Sequence, residues 1–271
     1  MHPISKISII LLKPDSERVL TKADSAQFVC EVHFGGGAMG KCLLSVDWDY
    51  FICTQKENWG SYLENTNTVI NLWYKRYILA KSRGQDIQNF FRLSDETDRF
   101  WQRIRSHFVF ADSAKVYVSD RHTLSYSIAR KHKCNEVYLF DAHADLGYGG
   151  PSCLDFEVNC ANWLGKLLKE RYIAKAHIIY SAFTAERPEY FAAMNKSYDI
   201  CYPELDDLDY GIEVSAVHIC RSGAWTPPWF DDRFSRFTDE LGISYELVDC
   251  PPRKWDTSNI SFADQIYYLM A

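Results

Sequence analysis

Val137-Tyr-Leu-Phe-Asp141-Ala-His143-Ala-Asp145-Leu-Gly147 is an apolar run that ends abruptly in two carboxylates and an imidazole. Its branched and aromatic residues read as a strand buried on both faces, the kind found in a parallel sheet. Ligands bind at the carboxyl ends of such strands. On extended chain, residues two apart point to the same face, so Asp141, His143 and Asp145 are expected together on one side of the strand end. Buried there, they would need a cation to offset their desolvation. A surface turn with a helix cap at Asp145 is the simpler alternative.

Two other stretches have the same form. Cys42-Leu-Leu-Ser45-Val-Asp47-Trp-Asp49-Tyr-Phe51 closes a short apolar strand on alternating carboxylates, with Trp48 and Tyr50 expected on the opposite, core-facing side. Val116-Tyr-Val-Ser-Asp120-Arg-His122-Thr brings a histidine to the junction of a strand and a helical pattern, a place where histidines also serve as caps or packing residues. Together the strand ends supply Asp47, Asp49, His122, Asp141, His143 and Asp145. Four carboxylates and two imidazoles make a hard, oxygen-rich donor set that suits Mn²⁺, whereas zinc prefers fewer carboxylates or some thiolate.

The rest of the chain repeats this alternation. Further short apolar runs occur at Ile7-Ser-Ile-Ile-Leu-Leu, Ala176-His-Ile-Ile-Tyr, Tyr198-Asp-Ile-Cys-Tyr and Val214-Ser-Ala-Val-His-Ile-Cys. Helical spacing covers Thr66 to Arg83, Asp95 to Ser106, Thr123 to His132, Cys160 to Arg171, Pro188 to Asn195 and Asp231 to Leu241. Alternating strands and helices predict an α/β fold with a mostly parallel sheet flanked by helices. With no internal repeat or linker, residues 1–271 are expected to form a single domain. The glycine-rich stretch from Asp24 to Gly40 reads as a mobile hairpin.

Composition narrows the function classes. The 271 residues are 47% hydrophobic and 24% charged, which excludes a disordered chain. Thirty Lys and Arg against thirty-six Asp and Glu give a net charge of -6 with no basic run, so nucleic acid is not an expected partner. No apolar stretch is long enough to span a membrane. Nine scattered cysteines without a C-x-x-C pair fit free thiols in a reducing, cytoplasmic setting. Aromatic residues at 15% permit, without requiring, a homo-oligomer.

The segments Asp141-Ala-His143-Ala-Asp145 and Ser45-Val-Asp47-Trp-Asp49 resemble the metal-binding motifs of the ureohydrolase family, the arginases and agmatinases. Ser119-Asp120-Arg121-His122 is a looser version of that family's Gly-Asp-His segment. The resemblance implies a three-layer arginase-like fold and two Mn²⁺ ions. One would be held by His122, Asp141, Asp145 and Asp47, the other by His143, Asp141, Asp47 and Asp49, with Asp47 and Asp141 bridging. In that family a metal-bridging hydroxide attacks the guanidinium carbon, and Asp145 resembles the catalytic residue that passes a proton to the leaving nitrogen.

Departures from the family point to the substrate. The Ser-x-Asp-x-Asp strand follows the Asp-x-His-x-Asp strand in ordinary ureohydrolases, but here it comes first, so the motif order is permuted. Gly147 stands where free-arginine hydrolases carry an Asn that holds the substrate's α-carboxylate. Glu157-Val-Asn159-Cys160-Ala-Asn162-Trp163 has no histidine where the family has a proton shuttle. These features, with His218-Ile-Cys-Arg221-Ser-Gly-Ala-Trp225-Thr-Pro-Pro-Trp229, resemble the peptide arginases, which convert arginine side chains of ribosomally made precursor peptides to ornithine and urea. The implied partner is such an arginine-containing peptide. Gly147, Asn159, Arg221 and Trp225 are the expected substrate contacts, with a peptide-binding wall and a packed loop both open for the Trp225–Trp229 segment.

Guanidinium recognition should require a further carboxylate, for which Asp155, Glu157, Glu204, Asp206 and Asp207 are all candidates. A Cys160 nucleophile lacks a histidine partner in sequence. Two other functions remain open: hydrolysis of a small guanidino compound or an amide, and peptide binding without catalysis.

Overall fold

The computed structural model describes residues 41–54 and 69–270, all within one compact unit. The expected strand at Ile7 and the hairpin at Asp24 to Gly40 lie outside the described residues. In chain order the elements begin with β1 (Cys42–Asp47), β2 (Ile52–Thr54), α1 (Val69–Ser82), β3 (Phe91–Leu93), α2 (Phe100–His107), β4 (Phe108–Ser119), α3 (Leu124–His132) and β5 (Glu136–Asp141). They continue with α4 (Trp163–Lys169), β6 (Lys175–Tyr180), α5 (Ala192–Ser197), β7 (Asp199–Cys201), β8 (Ile212–Cys220), α6 (Asp231–Glu240), β9 (Tyr245–Val248) and α7 (Phe262–Met270).

A seven-stranded sheet runs in the order β7-β6-β5-β1-β8-β4-β9, and every pairing in it is parallel. β2 and β3 form a separate antiparallel pair. The alternation of side chains along the strands builds two cores, one on each face. Leu44, Val46, Tyr138 and Phe140 pack with Trp73 of α1, Phe100 and Ile104 of α2, and Phe234 and Phe237 of α6. Leu43, Val137 and Leu139 pack with Ile128 of α3, Leu164, Leu167 and Leu168 of α4, and Met194 of α5. The result is an α/β architecture of three layers, with helices on both sides of a parallel sheet.

Several boundaries differ from those the spacing predicts, for local reasons. α4 begins at Trp163 rather than Cys160, because Asn159 Oδ1 accepts the Ala161 N–H and Asn162 Oδ1 accepts the Asn159 N–H, drawing the backbone into turns. The segment from Asp95 starts as a short 3-10 turn capped by Ser94, and α2 follows at Phe100. β9 has no buried residue, so its pattern carries little burial signal.

The order β5-β1-β8-β4 matters most for function. It places the carboxyl ends of β1, β5 and β4 in one region although they are far apart in sequence. β1 lies directly between β5 and β8.

Candidate metal centre

The two Asp-rich segments reach the sheet edge by turning rather than by extending. β5 ends at Asp141, the chain bends at Ala142 and His143, and Asp145 adopts a left-handed backbone at φ 51°. β1 ends at Asp47, and Asp49 lies in a 3-10 turn over Trp48–Phe51, where Asp47 Oδ1 accepts the Asp49 N–H at 3.0 Å. The expected extended alternation therefore gives way to tight turns. A non-glycine residue at positive φ costs free energy and persists only where its surroundings hold it. Here the Asp145 carbonyl accepts the N–H groups of Leu164 and Gly165, and its Oδ2 accepts the Trp163 indole N–H at 2.5 Å.

These turns gather all six residues. His122, in the loop between β4 and α3, sets Nδ1 at 3.1 Å from Asp47 Oδ2, 3.1 Å from Asp141 Oδ2 and 3.0 Å from Asp145 Oδ2. His143 Nδ1 lies 3.1 Å from Asp49 Oδ2 and 3.4 Å from Asp141 Oδ1. Two overlapping donor groups result, Asp47 with His122 and Asp141, and Asp49 with Asp141 and His143. Asp141 belongs to both. The first group is buried, whereas the His143 side chain is 39% exposed and leaves the second open to solvent.

Backbone amides hold one oxygen of three carboxylates. Asp49 N–H holds Asp47 Oδ1, Ala142 N–H holds Asp49 Oδ1 at 3.3 Å, and His143 N–H holds Asp141 Oδ1 at 2.8 Å. The second oxygen of each carboxylate lies against a histidine Nδ1. Ser222, itself at φ 48°, donates its hydroxyl to Asp47 Oδ2.

The electrostatics call for a cation. Burial, then the neighbouring carboxylates Asp49, Asp145 and Asp47, hold Asp141 well above the usual carboxylate range. Burial and Asp49 push Asp47 up to about 6 against the pull of His122. Burial would also raise Asp49, but His143 outweighs it and holds that group low. Burial opposes charge on both histidines, yet the facing carboxylates hold His122 and His143 well above the ordinary histidine range. Among the described residues, Asp141 Oδ2 is buried and receives no hydrogen bond. A buried carboxylate oxygen left without a hydrogen bond, beside a single His122 nitrogen that faces three carboxylates, fits a divalent cation, because buried charge must be paired. The site can hold a metal ion at Asp47, His122 and Asp141.

The residues expected to touch substrate fall elsewhere or have other work. Arg221 is 4% exposed, and its guanidinium donates to both oxygens of Asp120 at 2.8 and 2.9 Å, to Asp231 at 3.4 Å and to the Pro251 carbonyl at 2.7 Å. That buried pairing corrects the expectation that it faces a peptide. Asn159 is exposed and serves the turn before α4. Gly147 is buried at φ 89°, and a Cβ there would come within 2.3 Å of Cys153 Sγ, so this glycine permits a close loop packing. Trp225 is half-buried, while Trp229 packs edge-on against Trp73 and Phe91, as a packed loop would have it.

Of the five candidate carboxylates, Asp155 pairs with Lys169 and Asp206 with Arg103, and all five lie exposed. The carboxylate beside the centre is Glu186, in the loop after β6. Its Oε2 accepts the Ala144 N–H at 2.8 Å, between His143 and Asp145, and its Oε1 accepts the Tyr148 hydroxyl. Burial raises its pKa. Glu186 carries no motif, although its place after the strand next to β5 is the kind of position where α/β folds bind ligands.

The chain matches no family model, no curated protein and no solved structure.

Proposed function

We propose that this chain is a binuclear metal-dependent hydrolase of the ureohydrolase type that converts peptidyl arginine to ornithine and urea. The observation that carries the reading is the convergence of Asp47, Asp49, His122, Asp141, His143 and Asp145, from three separate segments, into two donor groups sharing Asp141. Asp47, His122, Asp141 and Asp145 would hold one cation, and Asp49, His143 and Asp141, with Asp47 as a bridge, the other. The donor chemistry favours Mn²⁺. Cations held there would supply positive charge and lower the pKa of a nearby water.

The protein groups then do the rest. Water adds its oxygen to the guanidinium carbon, the bond from that carbon to Nε breaks, and Nε gains a proton to leave as the ornithine amine while urea departs. Asp145, held by Trp163, is the carboxylate suited to carry that proton. Glu186 offers a second carboxylate for the guanidinium nitrogens. Gly147 supports a peptidyl rather than a free substrate, since the packing against Cys153 leaves no room for a side chain that would clamp an α-carboxylate.

The test is mass spectrometry of an arginine-containing peptide with the Mn²⁺-loaded protein, beside a urea assay on free arginine. The reading expects the peptide to lose about 42 Da, the mass of CH₂N₂ fixed by the reaction, with little urea from the free amino acid. Urea from free arginine alone would make the protein a small-molecule ureohydrolase. Neither product with both metals bound would overturn the reaction.

A further inference from the structure

Behind His122 runs a chain of hydrogen bonds that leads away from the metal centre. His122 Nε2 meets Ser45 Oγ at 2.8 Å, Ser45 Oγ meets Ser125 Oγ at 2.8 Å, Ser125 Oγ meets His218 Nδ1 at 2.6 Å, and His218 Nε2 meets Ser119 Oγ at 2.8 Å. Every member is at most 2% exposed. Ser45, Ser119 and His218 come from three adjacent strands, β1, β4 and β8, and Ser125 from the first turn of α3. Ser45 and His218 are register partners. Serine side chains on a sheet face packed with leucine and isoleucine cost desolvation unless each finds a partner, and here each does.

The direction of this chain is set at its far end. Ser119 Oγ lies 2.9 Å from the Arg121 carbonyl, which can only accept, so the single Ser119 hydroxyl proton goes there. Ser119 Oγ must then accept from His218 Nε2–H. His218 is fully buried and its two ring nitrogens meet the hydroxyls of Ser119 and Ser125 rather than a carboxylate, so a charge on the ring would be buried unpaired; the ring is neutral and its Nδ1 is bare. Ser125 therefore donates to His218, Ser45 donates to Ser125, and His122 Nε2–H donates to Ser45. Reversing the chain would turn Ser119 Oγ and the Arg121 carbonyl into two acceptors in contact at 2.9 Å and would place the His122 proton on Nδ1.

We infer that His218 is a positioning residue: acting through Ser125 and Ser45 and anchored on Ser119 and the Arg121 carbonyl, it keeps a proton on His122 Nε2, so that Nδ1, which faces Asp47, Asp141 and Asp145, is the nitrogen left to bind a divalent cation. Partners on the far nitrogen of a metal-binding histidine fix its tautomer and orientation, and their loss lowers metal affinity by about 10–100-fold. The consequence for affinity rests on the metal reading of the site, whereas the tautomer of His218 does not.

Two measurements on the full chain separate these. In the metal-free protein labelled with ¹⁵N-histidine, two-bond ring couplings should show His218 protonated on Nε2, with His218→Gln providing the assignment; a proton on Nδ1 overturns the inference. Mn²⁺ titration of Ser125→Ala and Ser119→Ala should then show a tenfold or greater loss at one site. His218→Gln, which keeps one donor and one acceptor, should bind more tightly than His218→Leu. Folded serine variants that bind Mn²⁺ like the unaltered protein would overturn the positioning role. Failure of the unaltered protein to bind any divalent cation would instead sink the proposed function while leaving the tautomer result standing.

Discussion

The Trp163 indole N–H donates to Asp145 Oδ2 at 2.5 Å, tying the first residue of α4 to the last carboxylate of the Asp141-x-His143-x-Asp145 turn. That oxygen also lies 3.0 Å from His122 Nδ1. Trp163 is fully buried, so its donor has no solvent alternative and the bond holds Asp145 in one orientation. Trp163→Phe keeps a ring in the pocket but removes the donor. Mn²⁺ affinity should fall about 10–100-fold, as for other residues that orient a metal ligand. Calorimetric titration checks it, and an unchanged affinity would show that packing alone sets Asp145.

Gly165 is the second anchor of the same turn. A Cβ at this position would sit 2.4 Å from the Leu146 carbonyl oxygen and 2.8 Å from Leu154 Cδ2, and the first of these is backbone that cannot swing aside. Gly165→Ala should push α4 off the loop that carries Asp145, at a cost of about 1–3 kcal/mol. A lower midpoint of urea unfolding together with weaker Mn²⁺ binding is the expected pair of results. Stability equal to the unaltered protein would mean the helix and loop separate at no cost.

How much of this was legible in the sequence depends on whether a residue's role leaves a local pattern. β1, β5, β6 and β8 are buried runs of Val, Ile, Leu and Phe, and burial on both faces writes itself into composition. Asp47, Asp49, Asp141, His143 and Asp145 stood out because charge at the end of such a run is costly and needs a reason. The turns that gather them were not legible, since alternation describes an extended chain and says nothing of the left-handed Asp145. Arg221 misled for a related reason: a charged side chain near a site reads as available until its partner, here Asp120 far away in sequence, is known. Glu186 and Trp163 act through single long-range bonds, and a lone side chain leaves no periodic trace. Ser45, Ser119 and His218 sit on one sheet face in apolar strands, and three polar residues at buried positions were the available signal for them.

Arg221 gives a clean distinction between structure and substrate. Its guanidinium is bound to Asp120 and Asp231 below the surface, and Asp120 Oδ1 also accepts the Gly223 N–H at 3.1 Å. Removing one member of a buried ion pair strands the other and costs about 3–5 kcal/mol. Arg221→Ala should therefore lower the thermal midpoint strongly. A residue that served only the peptide would leave the midpoint alone and raise KM, so a stable variant with impaired peptide binding would reverse the assignment.

Glu186 should behave in the opposite manner. Glu186→Gln keeps one acceptor, for the Ala144 N–H, and turns its amide NH2 toward the Tyr148 hydroxyl, whose oxygen can accept, so the loop keeps both contacts while the charge is removed. A hydrogen bond to a charged partner contributes about 1.5–3 kcal/mol, which corresponds to a loss of roughly 10–150-fold in kcat/KM on an arginine peptide. Mn²⁺ stoichiometry should stay the same. Unchanged kcat/KM would remove Glu186 from the substrate site.

The pH dependence of stability should reveal the unpaired charge of the metal-free centre. Asp47 is raised to about 6, Asp141 is raised well above its usual range, and His122 and His143 are raised as well. A group whose pKa is higher folded than unfolded stabilises the protein below the unfolded value and loses that contribution as pH rises through the folded one. All four therefore act in the same direction, and the metal-free protein should lose stability as pH rises from about 4 through 6 and beyond. Asp49, held low, contributes above its unfolded value and weakens the fold only at more acidic pH. A Mn²⁺ ion bound at these groups would take the place of their protons, so its stabilising effect should grow across the same window. Melting curves with Mn²⁺ and with chelator should diverge more at pH 8 than at pH 5.5. An equal gap at both values would mean the carboxylates and histidines are not competing with the metal for protons, and would count against their role as its ligands.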